Sequence, residues 1–269
     1  MNRLYLDTSI VRKHSNNLAK FESENAFISS LVVFELIAGM NEKEFKLRKN
    51  ALNNLLKSKI SIDWDSYKMK MYKAFNIPYN DIEGNAIKSF AEKITKCGTY
   101  EDVKNLKVYF EEGGFFKLES LEEFDKDIGQ VGKSISREAK DEWRELDKND
   151  RKNFKNQMSN YLLTYSRMLS EFALINLVED LSESKRPSER YFEVLNGYDK
   201  SLDVYLYYNQ MFFLLKEMNG SECGRNDTLD IMHTIYLKEG DTIVSEDKIF
   251  NKLIDYCELI NVCSSDSFI

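Results

Sequence analysis

A chain of 269 residues with a net charge of -7 and a pI near 5.2 carries no bulk positive field, so any nucleic acid it meets must be held by a local patch. At 42% hydrophobic and 13% aromatic residues it can fill a substantial core, which excludes disorder as the default state, and two prolines and eleven glycines favour a largely helical protein. Four cysteines without a CxxC, and only two histidines, argue against a structural zinc site and fit reduced thiols in a cytoplasmic protein; no apolar run approaches the roughly 18 residues of a membrane span.

In chain order, LYLD predicts a short buried strand ending near Asp7. AFIS predicts a second strand. It leads into a helix over SSLVVFELIAG, capped by Ser29 or Ser30, with Leu31, Phe34, Glu35 and Ala38 close to one face. EKEFKLRKNALNNLLKS reads as an amphipathic helix, KISIDW as a strand, and DSYKMKMYKAFN as a helix ended by Pro78. From about Asn80 to Gly220 the strand alternation gives way to charged helical stretches, including YEDVKNLKVYFEE, SISREAKDEWRELD and a long run from Arg151 to Leu181. Gly113–Gly114 and the residues around Pro187 are breaks. The aromatic DVYLYYNQMFFLL fits a buried helix or a self-association surface. The first pattern then returns: a helix in NDTLDIMHTIYLKEG, a strand in DTIVSED, a helix in EDKIFNKLI and a last strand in ELINVC. Strands alternating with helices imply a parallel sheet covered on both faces. The expected organisation is an α/β core over residues 1–79 and 216–269, interrupted by an all-α insertion over 80–215.

Acids recur where these strands end. Asp7 follows the first strand, Glu35 lies on the helix after the second, Asp247 follows TIVS, and Asp230 lies on the helix before it. In open α/β sheets the chemistry sits at the carboxyl ends of the strands, so these four can converge. Clustered carboxylates repel and raise one another's pKa values, and Mg²⁺ or Mn²⁺, which prefer oxygen ligands, relieve this. Taken singly, Asp7 and Asp247 equally suit helix N-caps. Glu35, flanked by LVVF and LIAG, is poorly explained as a solvated charge.

In this order, LYLDTSIV, ISSLVVFELIAG, NDTLDIMHTIYLKEGDTIVSEDKIF and a final strand resemble the PIN-domain family of metal-dependent nucleases. The resemblance covers about residues 1–76 and 221–269. It implies a three-layer α/β/α fold with a toxin-type ribonuclease core, and a metal and catalytic site of Asp7, Glu35, Asp230 and Asp247. Asp227 is a further possible ligand or an N-cap. It also implies supporting hydroxyls at Thr8, Ser9 and Ser245, and hydrolysis of a phosphodiester, most plausibly in RNA. The residues from 80 to 215 fall outside it. There Arg144, Arg151, Lys152, Lys185 and Arg186 stand beside aromatics and suit either a phosphate-gripping patch or a solvated charged face. The helical block also offers surface for a protein partner or for self-association.

Two other readings compete. One is a non-catalytic PIN-like module whose insertion binds a partner. The other, a haloacid-dehalogenase-like phosphotransferase, needs an aspartate two residues after Asp7, where Ser9 stands. His233 is expected at the edge of the core, and His14 in a solvated loop.

Overall fold

The computed structural model describes residues 3–110, 114–183, 189–224 and 226–268. Five short strands form one sheet: β1 (Leu4–Leu6), β2 (Ala26–Ser29), β3 (Ser61–Asp63), β6 (Thr242–Val244) and β7 (Asn261–Cys263). Every pairing is parallel and the order is β3-β2-β1-β6-β7. All residues of β1 and β2 are buried. Strands buried on both faces need a cover on both, which suits the expected three-layer α/β/α arrangement.

Helices fill the connections. α1 (Thr8–Lys13) follows β1, α2 (Ser30–Ala38) follows β2, and α3 (Phe45–Lys57) precedes β3. α4 (Tyr67–Ala74) follows β3. Ser29 begins α2 as its cap, accepting from Val32 N, while the Ser30 hydroxyl donates to the Asp65 carbonyl, tying α2 to the end of β3.

The long middle segment holds α5 (Ile82–Ile94), α6 (Tyr100–Asn105), α7 (Leu118–Glu145), α8 (Lys148–Ser182), α9 (Glu189–Asn196) and α10 (Asp203–Met218). It is not all-α. YEDVKNLKVYFEE begins as α6, with a capping box between Thr99 and Asp102, but Leu106 turns extended. Val108–Tyr109 (β4) then pairs antiparallel with Phe115–Phe116 (β5), and Gly114 sits in the turn at φ +88°. α7 also starts far earlier than SISREAKDEWRELD suggests, running through Gly129 and Gly132.

The segment does not stand apart from the sheet. Phe124 of α7 meets Phe34 of α2 edge to face at 5.5 Å. α10 carries the aromatic DVYLYYNQMFFLL, and Val204, Leu206, Tyr208, Met211, Phe212 and Leu214 are buried, which selects the buried-helix reading of that stretch. Its Tyr208 hydroxyl donates to the Cys257 carbonyl at 2.7 Å and accepts from Leu259 N at 3.1 Å, just before β7.

After α10 the chain forms α11 (Asp227–Met232), which tightens into a 3-10 turn over His233–Tyr236, then β6, α12 (Lys248–Ile254) and β7. The four cysteines are free thiols. Among the described residues no helix is long and apolar enough to cross a membrane.

Candidate metal centre

The order of strands decides where a site can form. Leaving β1, the chain builds the sheet outward through β2 and β3; β6 and β7 are added on the other side of β1. The switch point therefore lies between β1 and β6, and a crevice opens there at the carboxyl ends. Register does the rest. Leu6 pairs with Val244, and Asp7 N extends the ladder to the Val244 carbonyl at 3.2 Å. Asp7 and Ser245 are thereby set side by side, and the Ser245 hydroxyl donates to Asp7 Oδ2 at 2.8 Å.

Asp7 is 3% exposed and fully engaged. Oδ1 accepts from Thr8 N and Oδ2 from the Ser9 hydroxyl at 2.9 Å, so the aspartate both caps α1 and keeps a fixed orientation toward the crevice. Asp7 is thus the N-cap of α1 and at the same time lines the crevice. The Thr8 hydroxyl does not serve Asp7; it donates to Glu35 Oε2. Glu35 reaches the same place from the middle of α2, its side chain 17% exposed.

His233 completes this floor. Its Nε2 lies 3.0 Å from Glu35 Oε2 and 3.9 Å from Asp7 Oδ1. Its Nδ1 lies 2.5 Å from the Tyr5 hydroxyl, which in turn meets the Ser29 hydroxyl at 2.6 Å. Burial would strip the imidazole of its proton, but the Glu35, Asp7 and Asp230 carboxylates outweigh it and lift the pKa to about 9. At neutral pH the ring is therefore a cation that donates from both nitrogens, to Tyr5 and to Glu35.

One side-chain oxygen or nitrogen from each of Asp7, Glu35 and His233 lies within 4.8 Å of the others, and His233 would become a ligand only on losing its proton. Asp230 and Asp247 complete the walls of the same cavity, of about 620 Å³, which Thr8, Ser9, Arg12, Arg48 and Asp125 also line. Asp230 lies one helical turn before His233, so both face the same way. Burial, and then the neighbouring Asp247, Glu35 and Asp7 carboxylates, push Asp230 up to about 8, against the pull of His233. Burial and Asp7 raise Asp247 to about 6. Asp247 occupies the N-cap position of α12 without capping it, so its carboxylate is not spent on the helix; its own N–H instead donates to Ser245 Oγ at 3.0 Å.

Asp227 is placed differently. Lys216 Nζ holds its Oδ2 at 2.5 Å and Gly224 N donates to it, so it anchors the start of α11 to α10. It lines an adjoining groove of about 810 Å³ that shares only Asp230 and Asp247 with the acidic cavity.

The basic residues expected to form a patch are dispersed in role. Arg144 pairs with Asp141 on its own helix. Arg151 donates to the carbonyls of Trp143 and Arg144 and fixes the corner between α7 and α8. Lys152 is exposed, and none of these three lines the acidic cavity. Lys185 and Arg186 lie outside the described residues. The cations that do line the cavity are Arg12, on α1, and Arg48, on the helix over EKEFKLRKNALNNLLKS that reads as amphipathic. Arg48 donates from Nη1 to the Glu35 carbonyl at 2.9 Å, and its guanidinium fills the space a Cβ on Gly39 would need.

Sequence reasoning placed His233 in the core but not against Glu35. The spacing from Asp230 was the available signal. Asp125, on α7, had none, because nothing local shows that α7 reaches the crevice. His14 ends α1 half-buried, its ring edge to face with Phe21 at 5.9 Å rather than in a solvated loop. Compared with family models, curated proteins and solved structures, the chain finds no match.

Proposed function

We propose that this chain is a PIN-like, metal-dependent nuclease that hydrolyses phosphodiester bonds in RNA, with Asp7, Glu35, Asp230 and Asp247 as its metal-binding and catalytic carboxylates. The observation that carries the reading is the convergence of these four acids, drawn from four separate elements, on one cavity at the switch point of a parallel sheet. The resemblance to the PIN family supplies the rest.

The donor set fits a hard divalent cation such as Mg²⁺ or Mn²⁺. Its ligand atoms are carboxylate oxygens, Asp7 is rigidly oriented, and Asp230 and Asp247, raised first by burial and then by their carboxylate neighbours, stand where a cation would offset the clustered negative charge. When bound, such an ion supplies neutralisation of charge on the phosphate and acidification of a water. The protein's own groups do the positioning. Thr8 and His233 both take Glu35 Oε2, which leaves Oε1 for a ligand. Ser9 and Ser245 hold Asp7 Oδ2, and through its link to Asp247 N, Ser245 couples the two aspartates at the strand ends.

The test is cleavage of a mixed single-stranded RNA with Mn²⁺ or Mg²⁺ against EDTA, with Asp7→Asn as the control. Metal-dependent cleavage that Asp7→Asn abolishes is the expected result. Saturable Mn²⁺ binding without cleavage would favour the non-catalytic module instead.

A further inference from the structure

α2 and α7 each line two cavities. Glu35 and Asp125 line the acidic one, and the residues just before them, Phe34 and Phe124, line another of about 150 Å³ that shares no residue with it. Tyr67 of α4, Ile87 of α5, Phe116 of β5 and Leu121 of α7 complete its apolar wall. It therefore lies where the helices on the sheet meet the long middle segment. Protein interiors are close-packed, and a cavity costs stability in proportion to its volume. One of this size, ringed by aromatic side chains, therefore calls for an occupant.

We propose that this cavity binds a small neutral aromatic molecule of one or two fused rings, between benzene and indole in size. The wall selects the ring. Phe124 stands edge to face with Phe34 at 5.5 Å and tilted to Tyr67 at 6.1 Å, and aromatic rings favour further aromatic neighbours in such arrangements. Volume selects the size, since an apolar cavity of about 150 Å³ accommodates benzene.

The polar groups exclude the other occupants. Glu83 is the charged residue of the wall, and Lys68 Nζ holds its Oε1 at 2.6 Å, so a charged ligand would meet no unpaired charge. Water is poorly served, because a buried water needs about three polar partners. The Ser30 and Tyr236 hydroxyls, the most buried of the wall with Ser66, both donate to the Asp65 carbonyl, at 2.8 and 3.0 Å. The Ser66 hydroxyl caps α4 by accepting from Met69 N at 3.1 Å. Among the described residues the half-buried hydroxyls of Tyr67 and Ser120 are left without a hydrogen-bond partner. They suffice to accept from one ring N–H, which favours indole over benzene, but not to hold a cluster of waters.

The experiment is isothermal titration calorimetry and differential scanning fluorimetry on the full chain in EDTA, with benzene, indole, benzoate and protonated benzylamine as probes. It is independent of the metal reading, because no divalent ion is present. Indole is expected to bind one to one with a Kd on the order of 0.1–1 mM, within reach of a ligand of its size. At roughly fivefold Kd it raises Tm by about 2–4 °C. Benzoate and benzylamine bind at least tenfold more weakly. Ile87→Trp, whose ring system grows into the cavity, weakens indole at least tenfold without lowering Tm. Leu121→Phe, a smaller intrusion, weakens it severalfold. No saturable binding of benzene or indole up to about 5 mM, wild-type indole affinity in both variants, or charged probes that bind as tightly as indole would overturn the proposal.

Discussion

Asp230→Asn removes a carboxyl that the folded protein holds at about 8 and that an unfolded chain ionises near its ordinary value of about 3.9. Between those two values the folded state carries the extra proton. Stability without metal therefore falls as pH rises through that window and levels off above about 8. At pH 7 the ceiling on this cost is ~4 kcal/mol, from ~1.4 kcal/mol per pH unit over about three units. Two effects reduce what the substitution recovers: the side chain is only partly buried, and the amide that replaces it is also desolvated. The expected gain is ~2 kcal/mol, or roughly 4–8 °C in Tm for a chain of this size. At pH 5 the ceiling drops to ~1.5 kcal/mol and the gain to under ~1 kcal/mol. Urea denaturation in EDTA at pH 5 and pH 7, for wild type and variant, measures both. A loss of stability at pH 7, or an equal gain at both pH values, would refute the picture of a carboxyl strained by burial and by its acidic neighbours.

Three further outcomes follow from the same geometry. Mn²⁺ at millimolar concentration raises Tm, and raises it more at pH 8.5 than at pH 6, because metal and protons compete for the same carboxylates; differential scanning fluorimetry of Asp7→Asn should show most of this response gone. His233→Gln destabilises the protein by about 2 kcal/mol at pH 6, where the charged ring supports Glu35, and by less as pH rises through about 9, where the wild-type ring loses its proton; equal losses at pH 6 and pH 10 would count against a charged His233. Gly132→Ala improves helix propensity but costs ~1–3 kcal/mol overall, because its Cβ would stand 2.0 Å from Thr228 Oγ1; a stabilised variant by thermal denaturation would show that α7 does not press on α11.

Much of the core was legible because each decisive acid sits within a few residues of an apolar run or inside one. Asp7, Glu35 and Asp247 are marked by LYL, LVVF and TIV, and those runs are the buried strands and helix that place them. The preference for Asp230 over Asp227 rested on the family resemblance, and its physical ground was not legible. It turns on Lys216, which claims Asp227 from the last turn of α10. His233 was hidden for a similar reason, since its partners Tyr5 and Glu35 lie 228 and 198 residues away. The β4–β5 hairpin was missed because strands of two residues show no alternation. The start of α7 was missed because Gly129 and Gly132 weaken the local helix propensity; Gly132 is a point of close approach to α11.

The pairing of β1 with β6 has a consequence for synthesis of the chain. Asp7 and Ser245 are hydrogen-bonded neighbours separated by 238 residues. At translation speeds of ~5–20 residues per second, ~12–48 s pass between the making of one and the other. Throughout that interval β1 lacks its β6 neighbour, and the crevice lacks the wall that carries Asp230 and Asp247. The carboxylates cannot gather until nearly the whole chain has left the ribosome. Whatever chemistry the acidic cavity performs is therefore absent from the nascent chain, because strand order delays assembly of its walls.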